Sequence, residues 1–93
     1  MPSIILTVNH DAGLHARPLA QFVKVVGAFD AEVQVTNLSR EKGPSNGASP
    51  LSLLLLAVTR GQKILVEATG AEAEEVLEAL RALVESNFED ERE

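Results

Sequence analysis

Ser3-Ile4-Ile5-Leu6-Thr7-Val8-Asn9-His10-Asp11-Ala12-Gly13-Leu14-His15-Ala16-Arg17-Pro18 is the stretch on which the fold turns. Its first six residues are short, apolar and partly β-branched, the composition of a strand. Asn9 to Gly13 carries turn chemistry. From Ala16 onward Leu19, Phe22, Val23 and Val26 recur at helical spacing, up to Gly27, which suits a C-terminal stop. A strand that passes through a tight loop into an amphipathic helix opens a mixed α and β arrangement.

Outward from there, Ala31 to Asn37 alternates, with Val33 and Val35 on one face and Glu32, Gln34 and Thr36 on the other, as in a half-buried strand. Leu38 to Asn46 is polar and holds Gly43 and Pro44, which predicts a turn and a short, weak strand. Pro50 to Val58 is an apolar run whose length alone does not separate helix from buried strand. The Ser49-Pro50 pair decides for helix, because Ser is a good N-cap and Pro is at home in the first turn. Gln62 to Ala68 alternates again, with Ile64, Val66 and Ala68 inward. Ala71 to about Asn87 is an amphipathic helix, its stripe of Val76, Leu77, Leu80 and Val84 opposed by Glu74, Glu75 and Glu78. The order β-α-β-β-α-β-α predicts an α/β (α+β) sandwich, an antiparallel sheet with helices on one face.

Ninety-three residues is room for one domain, taken as 1–93. With no Trp and no Tyr, the core is expected to be aliphatic around Phe22 and Phe29. The absence of Cys removes disulfides, thiolate catalysis and cysteine-ligated zinc, and favours a reducing compartment. No charged-then-apolar leader opens the chain and the longest apolar run is far short of a membrane span, so the expectation is a cytoplasmic protein without membrane insertion. The net charge of −6, with only eight basic residues, argues against nucleic acid as the partner. The acidic excess gathers from Glu72 to the C-terminus and reads as a solvated helix face and tail. Nothing calls for a metal or a cofactor, and nothing requires more than a monomer.

The chemistry sits in Gly13-Leu14-His15-Ala16-Arg17-Pro18. A His at a helix start faces free backbone amides, here those of Ala16 and Arg17, and the positive end of the helix dipole. Those amides form the candidate phosphate-binding group. Pro18 has no N–H to lose in the first turn, and Gly13 lets the loop come close to it. Arg17 adds a permanent charge with donors shaped for phosphate oxygens. An imidazole nitrogen is a nucleophile that holds a phosphoryl group through a labile P–N bond. His15 is therefore the candidate acceptor and Arg17 its stabiliser. His10 has neither an Arg partner nor a helix start, and reads as a loop residue without a role.

Gly13-Leu14-His15-Ala16-Arg17-Pro18, between a first strand and a first helix, closely resembles the active-site motif of HPr, the histidine-containing phosphocarrier of the bacterial phosphotransferase system. Ala20-Gln21-Phe22-Val23-Lys24 and Ala68-Thr69-Gly70 extend the resemblance over nearly the whole chain. It implies an open-faced β-sandwich of four antiparallel strands with three helices on one face. It also implies a phosphoryl group received on Nδ1 of His15 and stabilised by Arg17. The implied partners are enzyme I, which uses phosphoenolpyruvate, and sugar-permease A domains. By the same resemblance Ala16, Ala20, Leu51 and Leu54 are docking residues, and Ser49 matches a regulatory serine modified by a serine kinase/phosphorylase. Ala48 precedes Ser49 where a Lys is frequent, and the stretch from Leu38 to Pro44 is a few residues longer than usual.

A second reading keeps the fold but makes the chain a regulatory docking module, signalled by His15 or Ser49 phosphorylation without sugar uptake. An acylphosphatase-like or RNA-binding sandwich is a weaker third, since the basic or aromatic surface it needs is missing.

Overall fold

The computed structural model describes residues 1–89. Its elements follow the anticipated order: β1 (Ser3–Thr7), α1 (Ala16–Gly27), β2 (Glu32–Asn37), β3 (Lys42–Asn46), α2 (Pro50–Leu55), β4 (Lys63–Thr69) and α3 (Ala73–Glu85). The four strands form one antiparallel sheet in the order β1-β4-β2-β3. The polarity of each strand accounts for its place. β4 sets Ile64, Val66 and Ala68 inward, all but fully buried, and takes a central position with Val66 opposite Ile4 on one side and Val35 on the other. β3 reads Lys-Gly-Pro-Ser-Asn and lies at an edge, where a proline costs no ladder bond.

The inward side chains Leu6, Val33, Val35, Ile64 and Val66 share one core with Phe22 of α1, Leu53 of α2, and Val76 and Leu80 of α3. The alternate strand residues Ile5, Thr7, Gln34, Thr36 and Glu67 form the uncovered face, exposed or half-exposed. The expected open-faced sandwich, with its helices on one face, is the fold observed.

Three local expectations change. Gly27 does not stop α1 with a left-handed turn: it is the last helical residue, and right-handed Ala28 follows, its amide donating to the Val25 carbonyl and that of Phe29 to the Val26 carbonyl. α2 ends at Leu55, short of Val58, because Ala57 turns left-handed (φ 54°) and frees the Val58 carbonyl to accept from Leu14. Phe29 lies at the rim of the core, whereas Phe88, placed by the sequence beyond the last helix, is fully buried.

The end of α3 explains Phe88. The Phe88 amide donates to the Leu83 carbonyl (2.9 Å) and the Asn87 amide to that of Val84 (3.0 Å), the paired bonds of a Schellman turn. Asn87 and Phe88 both have left-handed backbones, at φ 61° and 59°. The reversal carries the Phe88 ring back into the core.

Candidate functional site

The loop from β1 to α1 is held from both sides. His10 Nδ1 accepts from the Ala12 amide (3.0 Å), and the His10 carbonyl accepts from the Gly13 amide (2.8 Å). The Leu14 amide donates to the Val58 carbonyl (3.0 Å), and the Leu14 side chain is buried. Gly13 has φ +65°, and a Cβ there would stand 2.3 Å from the Val58 oxygen. Only glycine allows the loop to lie against the segment after α2. An exposed ion pair, Arg60 Nη1 to Asp11 Oδ1 at 2.8 Å, joins the same two loops.

This anchoring delivers His15 to the N-cap of α1 in extended backbone (φ −149°, ψ 162°). Its carbonyl accepts from the Leu19 amide (3.3 Å), while its side chain makes no capping bond and is exposed. Among the described residues the Ala16 and Arg17 amides donate to no acceptor, as the first turn of a helix dictates. Ala16 has φ 50°, a left-handed backbone that disfavours a residue with a Cβ. Pro18 is buried in the first turn. Arg17 is exposed and reaches across to the turn after α3, Nη1 donating to the Phe88 carbonyl at 3.5 Å, a long and loose bond. The start of α1 thus carries an unengaged imidazole and two free amides, with the guanidinium of Arg17 weakly tethered toward Phe88.

Beside His15 runs an apolar groove of about 380 Å³ between α1 and α2, bordered by Ala16, Ala20, Pro50 and Leu54 with Leu19 and Val23 beneath. Three of the anticipated docking residues, Ala16, Ala20 and Leu54, meet His15 there. Leu51 lies outside the groove lining, 67% exposed.

With this arrangement in view, residues 3–86 match the family described as the HPr component phosphorylation site of the phosphotransferase system. The chain belongs to the HPr family. The Escherichia coli phosphocarrier protein NPr is 37% identical over 83 residues, covering 89% of this chain and 90% of that protein. The crystal structure of HPr-C-His from Thermoanaerobacter tengcongensis superposes with a TM-score of 0.89 at 30% identity, covering 99% of this chain and 100% of that one. The multiphosphoryl transfer protein of Salmonella typhi is 37% identical over 73 residues, 78% of this chain; the match spans only 19% of that longer protein's length. The HPr fold therefore occurs both alone and within larger proteins.

Ser49, anticipated as a regulatory serine, is half-buried and caps α2, its Oγ accepting from the Ser52 amide at 3.2 Å. Of the leucine run, Leu53 and Leu56 are core, while Leu51, Leu54 and Leu55 are exposed. Leu55, 67% exposed, extends the apolar surface beyond what the sequence suggested. His10 also departs from its reading as a loop residue without a role. It organises the turn before Gly13, and its ring stands edge-on to Phe88, with centroids 6.0 Å apart and planes at 88°. The pattern that betrays Phe88 is local: an Asn at the position after a helix cap, followed by an apolar residue. Nothing local betrays its contact with His10.

Proposed function

We propose that this chain carries a phosphoryl group on His15, accepting it from phosphoenolpyruvate-charged enzyme I and passing it to sugar-permease A domains. It works as a single-domain, monomeric carrier in the cytoplasm. The observation that carries the reading is the exposed His15 side chain, free of any capping bond at the start of α1 beside Arg17 and two open amides. Membership of the HPr family supports it. Among the described residues no helix is long and apolar enough to cross a membrane.

The transfer needs little from the protein beyond placement. The lone pair of an unprotonated imidazole nitrogen, Nδ1 by family resemblance, attacks the phosphorus of the donor. A P–N bond forms on His15 as the bond from phosphorus to the donor breaks, and the donor keeps that electron pair. The amides of Ala16 and Arg17 and the Arg17 guanidinium then stabilise the charge on the phosphoryl oxygens. Because these donors bind the group without altering the P–N bond, the return step to an acceptor follows the same path in reverse. The groove along Ala16, Ala20 and Leu54, continued by Leu51, is the surface on which partners bring their own reactive groups to His15.

Incubation with enzyme I and radiolabelled phosphoenolpyruvate tests the reading. Acid-labile, alkali-stable label is expected, and it is absent from His15→Ala; label that persists in that variant overturns the assignment. Offering the labelled chain to a purified sugar-permease A domain separates transport from regulation. Label that moves supports the relay, whereas label that stays supports the docking module signalled through His15 or Ser49.

A further inference from the structure

The contact that restrains Arg17 comes from the far end of the chain, 71 residues away. Phe88 supplies it through its main chain, so what fixes the Phe88 backbone also fixes the carbonyl on which Arg17 rests. Two things do so. The Schellman bonds to Leu83 and Val84 set the turn, and full burial of the ring sets its direction. A bulky residue with φ 59° is an unfavourable choice that persists only where its surroundings over-determine it. Here the surroundings include His10, whose ring meets the Phe88 ring edge-on and is itself pinned by the Ala12 amide at Nδ1. The His10 carbonyl also holds Gly13, two residues before His15.

The loop that presents His15 therefore also holds the residue that holds Arg17. The geometry points to His10 and Phe88 as positioning residues that keep the Arg17 guanidinium parked on the Phe88 carbonyl, two residues from His15, while the histidine carries no phosphoryl group. This rests on His15 being the acceptor. The parking contact is suited to release: it is long, at 3.5 Å, and its acceptor is neutral. A phosphoryl dianion offers charge-assisted bonds about twice as strong, so the guanidinium transfers to it on arrival. Without the tether Arg17 samples many rotamers in solvent and must be ordered during the transfer itself, which slows acceptance by roughly 3- to 10-fold.

A double-mutant cycle on single-turnover phosphoryl acceptance from phosphorylated enzyme I tests this. His10→Ala and Phe88→Ala are each made with Arg17 present and in an Arg17→Ala background. Each is expected to lower the rate roughly 3- to 10-fold beside Arg17 and to have no further effect once Arg17 is gone. A merely structural role would lower the rate by the same factor in both backgrounds, and that result overturns the proposal. Nitrogen-15 relaxation of the Arg17 side chain in the unphosphorylated protein gives a second readout, independent of turnover and of whether Phe88→Ala folds. His10→Ala is expected to mobilise the guanidinium; unchanged Arg17 motion in a folded His10→Ala protein overturns the proposal. Failure of the wild-type chain to take label on His15 is a different result, which strikes the phosphocarrier reading while the relaxation measurement still reports on the tether.

Discussion

Asn37 Nδ2 donates to the Leu56 carbonyl across 2.9 Å, which ties the end of β2 to the end of α2. The same side chain reaches Gln62 Oε1 at 3.2 Å, and its Oδ1 accepts from the Arg40 amide, also at 3.2 Å. Arg40 Nε in turn donates to the Ala57 carbonyl at 2.9 Å. Asn37 is the single buried polar side chain among the described residues, and all of its bonds serve to hold α2 and the loop around it in place. Replacing it by Leu or Ala leaves these groups without their partner. Asn37→Leu is expected to destabilise the fold by about 1–3 kcal/mol despite its similar volume. Urea unfolding checks this, and an unchanged midpoint would show that the network contributes nothing net.

Gly13→Ala combines a left-handed backbone with a Cβ set 2.3 Å from the Val58 carbonyl oxygen. The obstacle is main chain, so no side-chain rotation relieves it. A loss on the order of 2–3 kcal/mol is expected, with displacement of the loop that carries His15. Thermal melts and the amide shift of Leu14, whose bond to Val58 must give way, report the two effects separately.

Ser49→Ala removes the acceptor for the Ser52 amide and is expected to cost about 1 kcal/mol. Ser49→Asp keeps a capping oxygen and should retain most of that stability. Equal melting temperatures for all three proteins would mean that water caps α2 as well as the side chain does.

Ala16 lies at the helix start with φ 50°, a region glycine enters without steric penalty. Ala16→Gly relieves roughly 1–2 kcal/mol of backbone strain and gives back part of it as extra freedom of the unfolded chain. A net gain of about 0.5–1 kcal/mol is expected from chemical denaturation. Destabilisation would show that the left-handed conformation carries no strain in this setting.

Much of the site was legible from neighbouring residues. His15 before Ala16, with Pro18 in the first turn, announces a helix start, and Ser49-Pro50 announces another; both are N-caps in the structure. Leu51 and Leu54, docking residues by the family resemblance, stand at the surface. The leucine run was harder at its far end, because Ala57 and Val58 continue an apolar pattern while the chain has already left the helix to meet Leu14. Phe29, expected in the core, reaches only its rim, and Phe88 fills the centre, for the same kind of reason. Composition gives the number of rings, whereas the Schellman turn after α3 chooses which one reaches the centre.

From its residues alone, this chain declares the order of its strands and helices, their inward faces and the histidine at the mouth of α1. Those features rest on spacings of two to four residues, which backbone geometry converts directly into faces and caps. Tertiary structure alone decided that Arg17 rests on Phe88, that Phe88 rests on His10, and that Asn37 secures the end of α2. These partners are 19 to 78 residues apart in sequence. They meet only when helices close over a sheet whose central strand, β4, comes late in the chain, and no local period encodes that packing.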